Sequence, residues 1–428
     1  MKKEFSMRIN KRATWASIAL MMATAGMCSC SSHDNEEPLS NEDNEPMKLT
    51  LTRAEEALVN ESNDFAFNLF RQVTAPKTDG EKKKSIILSP ISITYALGML
   101  NNGAAGETQQ QINQVLGFGE TGADGINDYC RKMLTSAPKL DKLTKVMIAN
   151  TIFMNKDYEI LSDFKKKAKE YYDAEPETRD FHDGKTLGVI NQWASDHTEE
   201  MIKEVLNNES FNPEAVSYLL NAIYFKGAWA KKFDKDNTRD EAFEGAEKKV
   251  PMMHQEHEFD YTENELCQAL RLPYGNGSYT MTILLPREGK TVNDVLQSLN
   301  KESWQQYQHM GSSAIVDAKL PRFESNTDQD LGDIMSALGM PKAFTDLAEF
   351  PYFCDVSTKI GLMKQVARIK LNEEGTEAAA VTVIGAYVTT STSPEPRRVA
   401  FHATRPFLYV ISEKQTGAIF FIGKYLGD

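Results

Sequence analysis

"SIILSPISITYALGMLNNGAAGETQQQINQVLGF" occupies residues 85–118. Its first apolar run, Ile86-Ile87-Leu88, is short and bounded by polar residues, as a brief buried strand would be. Ser89 follows as a helix cap. Pro90 stands at the first helical position, where its missing N–H costs nothing. Gly103 and Gly106 are expected to end that helix, and Thr108 with Gln111 reads as a capping box opening the next. A strand that feeds directly into two helices points to a fold mixing both element types.

The pattern continues on both sides. Upstream, Leu58, Phe65, Leu69, Phe70 and Val73 recur at helical spacing, so an amphipathic helix is expected over Arg53–Val73 behind the cap Thr52. Downstream, strands are expected at Val146–Met154, Val216–Phe225, Tyr279–Leu285, Ala314–Leu320, Pro406–Ser412 and Ala418–Tyr425. Helices are expected at Leu187–Leu206, Thr291–Ser298 and Asp328–Leu338. No repeat is visible and no Pro/Gly linker divides the chain. The reading is one α+β domain over residues 49–428.

The chain has 428 residues, 41% of them hydrophobic and 25% charged, with a net charge of −13. No basic stripe breaks the scatter of charges, so nucleic acid is not an expected partner. Lys2, Lys3, Arg8, Lys11 and Arg12 precede an uncharged, mostly apolar run, Trp15–Met27, in the manner of an export signal. The sequence Met27-Cys28-Ser29-Cys30 resembles the lipobox of bacterial lipoproteins. Cys30, behind small Ser29, is the expected lipidated residue, and Cys28, behind bulky Met27, is the alternative. Cleavage before Cys30 would remove those five basic groups and one acid, Glu4, leaving −17. Residues 30–48 hold Asp34, Glu36, Glu37, Glu42, Asp43 and Glu45, and read as a solvated tether. An acidic stretch behind a lipidated Cys also resembles the surface-export signal of Bacteroidetes lipoproteins. The expected location is therefore the outer membrane or cell surface, with membrane contact only through the lipid.

Cys130, Cys267 and Cys354 are odd in number and widely spaced, which suits buried thiols rather than a disulfide framework or metal site. There is no G-x-S-x-G elbow, phosphate-binding Gly loop or H-E-x-x-H motif. His254 and His257 lack a third ligand at metal spacing and read as surface histidines. Nothing here argues for an enzyme, a cofactor or a metal.

Six further-reaching stretches occur in order: "ILSPISITYALGMLNNGAAGETQQQI" from Ile87, "LLNAIYFKGAWAKKFDKDNTRDEAF" from Leu219, "LPYGNGSYTMTILLP" from Leu272, "AKLPRFESNTDQDLGDIMSALGM" from Ala318, "NEEGTEAAAVTVIGAYVTTSTSPEP" from Asn372 and "RPFLYVISEKQTGAIFFIGKYLGD" from Arg405. Together they resemble the serpins over nearly all of residues 49–428. The resemblance implies three β-sheets, about nine helices and an exposed reactive loop, here about residues 373–398. It also implies suicide inhibition of serine, and in some cases cysteine, endopeptidases by a monomer: the protease cuts the loop, which then inserts as a new strand of the main sheet.

The loop's composition suits that task. At strand period, Thr376, Ala378, Ala380 and Thr382 form one small, uncharged face, while Glu377, Ala379, Val381 and Val383 form the other. Gly375 supplies a hinge. A dozen new backbone hydrogen bonds at about 0.5–1.5 kcal/mol each, before ordering entropy is deducted, give the insertion a favourable sign. The uncut state is then a kinetic trap. By the same resemblance, Glu373 and Trp229 match the place where the loop first joins the sheet. Ser89, Ser92 and Asn221 match a polar cluster under its middle, with Gln365 where many relatives carry His. Counting seventeen residues from Glu373 gives Thr389–Thr390 as the bond cut, with Val388–Thr389 and Tyr387–Val388 as neighbours. Thr after Val suits elastase-like or subtilisin-like pockets. Arg397 and Arg398 are the trypsin-like alternative, and papain-like cysteine proteases are further expected targets. The loop's distal side is about six residues longer than the family's usual length.

Overall fold

Thr52 opens the first helix by a reciprocal cap. Its hydroxyl accepts the Glu55 N–H at 3.3 Å and the Glu55 carboxylate accepts the Thr52 N–H at 2.7 Å. The computed structural model describes residues 48–76, 84–119, 121–309, 313–376 and 397–428, within one compact unit, Asn41–Asp428. The expected signal and tether, including Cys28 and Cys30, lie outside the described residues, apart from Lys48 at the tether's end. So do Glu377, Ala378, Ala379, Ala380, Val381, Thr382, Thr389 and Thr390.

In chain order the elements begin α1 (Arg53–Thr74), β1 (Ile86–Leu88), α2 (Pro90–Asn101), α3 (Gly106–Val115), α4 (Gly122–Ser136), β2 (Thr144–Asn155), α5 (Ser162–Tyr172) and β3 (Glu177–Arg179). There follow α6 (Thr186–Asp196), β4 (Ser217–Ala228), β5 (Arg239–Glu241), β6 (Val250–Glu263), β7 (Cys267–Tyr274), β8 (Tyr279–Pro286), α7 (Val292–Ser298) and α8 (Lys301–Gln308). The last are β9 (Ser313–Pro321), β10 (Phe323–Asp330), α9 (Gly332–Leu338), β11 (Lys364–Asn372), β12 (Gly375–Thr376), β13 (Arg398–His402), β14 (Phe407–Glu413) and β15 (Ile419–Tyr425).

Six strands form the sheet β10-β11-β12-β4-β2-β3. The others lie in the order β1-β15-β14-β8-β7-β6-β9-β13, with β5 beside β6. Long β6 pairs with β9 through Met252–Asp260 and with β7 through Asp260–Glu263, so hydrogen bonding runs continuously through two of the three sheets the resemblance implies. The helix α2 is apolar on nearly every side. It is buried where β4, β15 and α4 meet, as a helix without a polar face must be. Phe67 and Phe70 of α1 are fully buried in the same core, each contributing about 1.5–3 kcal/mol.

Five local expectations are corrected. Ser89 precedes α2 but its hydroxyl does not cap it. Gly106 opens α3 rather than ending α2, and Thr108 is not its cap: the Glu349 carboxylate accepts the N–H groups of Glu107 and Thr108 at 2.9 and 3.3 Å instead. The helix expected to reach Leu206 stops at Asp196, because Glu199 and Glu200 take positive φ and Asn191 Oδ1 accepts the Val205 and Leu206 N–H groups. Asp328–Asp330 ends strand β10, paired with Lys364–Val366, rather than starting a helix.

Candidate functional site

The strand β11 reaches the end of the sheet at Asn372 and the chain turns back at once. The Asn372 side-chain oxygen accepts the N–H groups of Glu374 and Gly375 at 2.9 and 3.2 Å, holding the reversal tight. Gly375-Thr376 then lies between two strands. Thr376 is opposite Leu371 of β11 and Gly227 of β4, and Gly375 is opposite Asn372 and Ala228. Among the described residues β4 and β11 have no direct pairing, so this two-residue strand is what joins the two halves of the sheet.

The position admits only glycine at 375. Its φ is +148°, and a Cβ there would stand 2.1 Å from the Gly227 carbonyl oxygen. Thr376 is 2% exposed and its hydroxyl lies 2.6 Å from the Tyr274 phenol. Burial pushes that phenol well up, so Tyr274 remains a neutral partner. Its ring stacks on Trp229, with centroids 4.5 Å apart and planes 12° from parallel.

Trp229 reaches back to the turn. Its indole N–H donates to the Asn372 carbonyl at 3.0 Å and its backbone N–H to the Glu374 carbonyl at 2.8 Å. Glu373 is 2% exposed, and its carboxylate accepts from the Thr238 hydroxyl at 2.7 Å and from the Arg322 guanidinium. Burial alone would push this carboxyl up. Arg322 and Thr238 outweigh it and hold the group below the usual carboxylate range. Glu374 pairs with Lys232 at 2.8 Å and Lys235 at 3.1 Å. Glu373 and Trp229 thus meet here, as do Gly375 and Thr376. Arg322, Thr238, Tyr274, Lys232, Lys235 and Asn372 complete the assembly and were not singled out from sequence. Only their position inside the quoted stretches could have drawn attention to them.

Lower in the sheet the polar cluster is divided. The Gln365 amide grips the backbone of Ser89 at two points: its oxygen accepts the Ser89 N–H at 3.0 Å and its nitrogen donates to the Ser89 carbonyl at 2.8 Å. On the other side, the Ser92 hydroxyl bonds Asn221 Oδ1. Asn221 donates to Asn150 at 2.7 Å, and Asn150 to the Tyr172 carbonyl at 2.9 Å. The start of α2 therefore holds both strands: β11 through Ser89, the residue just before the helix, and β4 through Ser92 in its first turn. No side-chain hydrogen bond joins the two groups among the described residues, and the buried Ser89 hydroxyl has no partner. A cavity of about 90 Å³ opens beside them, lined by Ser92, Leu97, Leu219, Asn221, Met363 and Gln365 among others.

On the far side of the loop, the two arginines are engaged. Arg397 pairs with Glu263, and its guanidinium lies 5.5 Å from the Tyr261 ring centroid. Arg398 begins β13 and pairs with Glu256 at 2.7 Å. His254 bonds Asp317 and His257 stands against Phe259; no cluster able to hold a metal occurs among the described residues. Cys130, Cys267 and Cys354 are free and buried.

The sequence model of the family described as "Serpin (serine protease inhibitor)" matches residues 60–427. Serpin B3 of Homo sapiens is 32% identical over 387 residues, covering 84% of this chain and 97% of that protein. Among solved structures, the thermophilic serpin tengpin in its native state aligns with a TM-score of 0.75 at 27% identity, over 88% of this chain and 95% of that one. Thyroxine-binding globulin in complex with thyroxine aligns with a TM-score of 0.75 at 28% identity, over 86% of this chain and 98% of that one. With the family's model spanning almost the whole described domain and the same fold around it, the chain belongs to the serpin family.

Proposed function

We propose that this serpin is a single-use inhibitor of serine and papain-like cysteine endopeptidases, and not itself an enzyme. The observation that carries the reading is the resident strand Gly375-Thr376 between β11 and β4. Each further residue in the same register would face one residue earlier on both neighbours. Glu377 would then fall between Lys370 and Lys226 on the outer face, where two ammonium groups flank a carboxylate. Thr382 would fall between Gln365 and Asn221, where the polar cluster is divided. The inward positions between them are Ala378 and Ala380, small enough to pass between packed strands.

The protease supplies the trigger. Its Ser or Cys attacks the Thr389 carbonyl, Thr390 leaves as the new amino terminus, and an acyl-enzyme holds the protease on Thr389. Thr376 to Thr389 is fourteen residues, which at about 3.3 Å each span roughly 46 Å. A compact chain of this size is near 55 Å across, so insertion carries the bound protease from one pole almost to the other. Insertion and deacylation compete for the same intermediate. Metallo- and aspartic proteases form no acyl-enzyme and should only cut. The paired state of Arg397 and Arg398 supports elastase-like or subtilisin-like targets over trypsin-like attack at those residues.

Incubation with elastase-like, subtilisin-like, trypsin-like and papain-like proteases tests this. An SDS-stable complex and a released peptide beginning at Thr390 are expected with the first two; cleavage without complex in every case would refute it. The alternative is a non-inhibitory surface serpin, favoured by the likeness to thyroxine-binding globulin, a serpin-fold protein solved with a small molecule bound. The absence of bulky residues, Pro or added charge from Ala378 to Thr382 argues against it. The proposal extends to localisation: export as a lipoprotein bearing lipid on Cys30, tested by fatty-acid labelling. Label lost in Cys30→Ala agrees, and label retained moves the assignment to Cys28.

A further inference from the structure

The edge strand β13, directly downstream of the loop, is held by a group of titratable side chains that the inhibitory reading does not use. It pairs in parallel with β9 alone among the described residues, from Arg398↔Ile315 to His402↔Lys319. On the half-exposed face of β6, β9 and β13, the Asp317 carboxylate lies between two imidazoles. His254 Nε2 of β6 is 2.6 Å from Oδ1, and His402 Nε2 of β13 is 2.9 Å from Oδ2. A carboxylate only accepts, so each ring presents an Nε2–H to it. One acidic side chain thereby ties the edge strand to the second strand inward.

The surroundings set the sign of a pH response. Lys319 of β9 lies between the two histidines in register, and its ammonium is held by both oxygens of Glu241 of β5, at 2.7 and 2.9 Å. Glu256 of β6 is paired with Arg398 of β13. His257 and Lys231, which approach Phe259, belong to the opposite face of β6. With Lys319 and Arg398 each matched by a carboxylate, Asp317 is the acid left to balance charge on the imidazoles. Burial would push the Asp317 carboxyl up, but the two histidines outweigh it and hold it below the usual range, so it stays ionised through mild acid. Histidine gains its charge between about pH 8 and 5. A charged His402 ring binds this carboxylate more tightly than a neutral one, and lifting β13 off the sheet separates the two, while His254 stays with Asp317 on the paired strands β6 and β9 and orients it. Protonation therefore favours the attached strand, until Asp317 itself is neutralised at lower pH.

We propose that His254, Asp317 and His402 form a pH-responsive clasp that holds β13 on the sheet more firmly in mild acid than at neutral pH. The consequence rests on the inhibitory reading. The loop is anchored at β12 and at β13, so an uncut loop can insert fully only if β13 lets go. The clasp then prolongs the life of the active protein in mildly acidic surroundings.

Hydrogen exchange on the full chain tests it, with rates corrected for the intrinsic effect of pH. Between about pH 7.5 and 5.5 the protection of residues 398–402 should rise by up to about fivefold relative to β15, the range allowed by one half-exposed ion pair, His402–Asp317. The rise should vanish in Asp317→Asn and in the double variant His254→Gln/His402→Gln, whose half-exposed sites tolerate the change. A flat wild-type response, or an equal rise in either variant, overturns the clasp. In parallel, the fraction of warmed protein still able to form a covalent complex should decay more slowly at the lower pH. If no protease forms a complex but the exchange pattern holds, the inhibitory reading fails and the clasp stands. If complexes form and β13 ignores pH, the clasp alone fails.

Discussion

The gap between β4 and β11 is closed at one end and open in the middle, and the two places are built differently. At the closed end Glu373, Glu374, Gly375 and Thr376 are fixed by Arg322, Thr238, Lys232, Lys235, Trp229 and Tyr274, with charge and hydrogen bonding matched. In the middle, the polar groups split into a β11 side and a β4 side, the Ser89 hydroxyl is unmet, and a cavity remains. A buried polar group without a partner costs about 1–3 kcal/mol. The contrast teaches where specificity and stored energy lie. The closed end fixes the register from which a strand would grow, and the middle holds the unmet capacity it would fill.

Breaking the closed end should have the largest effect. Thr376→Arg puts an unpaired cation where a hydroxyl now meets Tyr274, a cost of several kcal/mol. The variant should be cut at the same bond as wild type but yield little covalent complex, read by gel-shift stoichiometry. Gly375→Ala comes next. Its methyl group would meet the Gly227 carbonyl, and a positive φ for Ala adds about 1–3 kcal/mol of strain. The resident strand should leave the sheet, seen as faster proteolysis at residues 375–376 and weaker quenching of Trp229.

The middle should respond more gently. Gln365→Ala removes both partners of the Ser89 backbone and should lower the stability of the uncut protein by about 1–3 kcal/mol. Restoring the amide as Gln365→Asn, a shorter reach, should recover only part of the melting temperature. The smallest effect is that of pH on the closed end. The folded Glu373 carboxyl sits below its ordinary value of 4.5, so its contribution is fully present at neutral pH. It is lost as pH falls from that value through the folded one. Trp229 fluorescence should report a loosening in acid, and Arg322→Met should move that transition to higher pH.

These places also differ in how far the sequence reveals them. Strands with strong apolar runs, β2, β4, β8, β9, β14 and β15, were legible to within a few residues, and so was the cap of α1. β10 was not read as a strand. Its alternation of buried Phe323, Ser325 and Thr327 with exposed Glu324, Asn326 and Asp328 is carried mainly by polar side chains, whose burial depends on neighbours distant in sequence. The helix expected through Leu206 failed for a related reason: Ile202 and Leu206 bury as helical spacing suggests, but side chains of Asn191 and Thr198 hold that backbone in another shape. At the hinge, the family resemblance pointed to Glu373 and Trp229. It could not supply Thr238 or Arg322, which lie 135 and 51 residues from Glu373 in sequence. Nor could it foresee that Gln365 would fasten the Ser89 backbone rather than replace a histidine's side-chain contacts.

The central claim is that the chain carries its own missing strand, and the melting temperature before and after loop cleavage tests it most directly. Full-length protein is cut at Thr389–Thr390, or a neighbouring bond, by a metalloprotease that forms no acyl-enzyme, and both forms are heated side by side. About ten kcal/mol of added strand pairing should raise the melting temperature of the cut form by roughly 10 °C or more, with a much smaller rise in cut Thr376→Arg. A cut wild-type protein that melts at or below the uncut one would contradict the account.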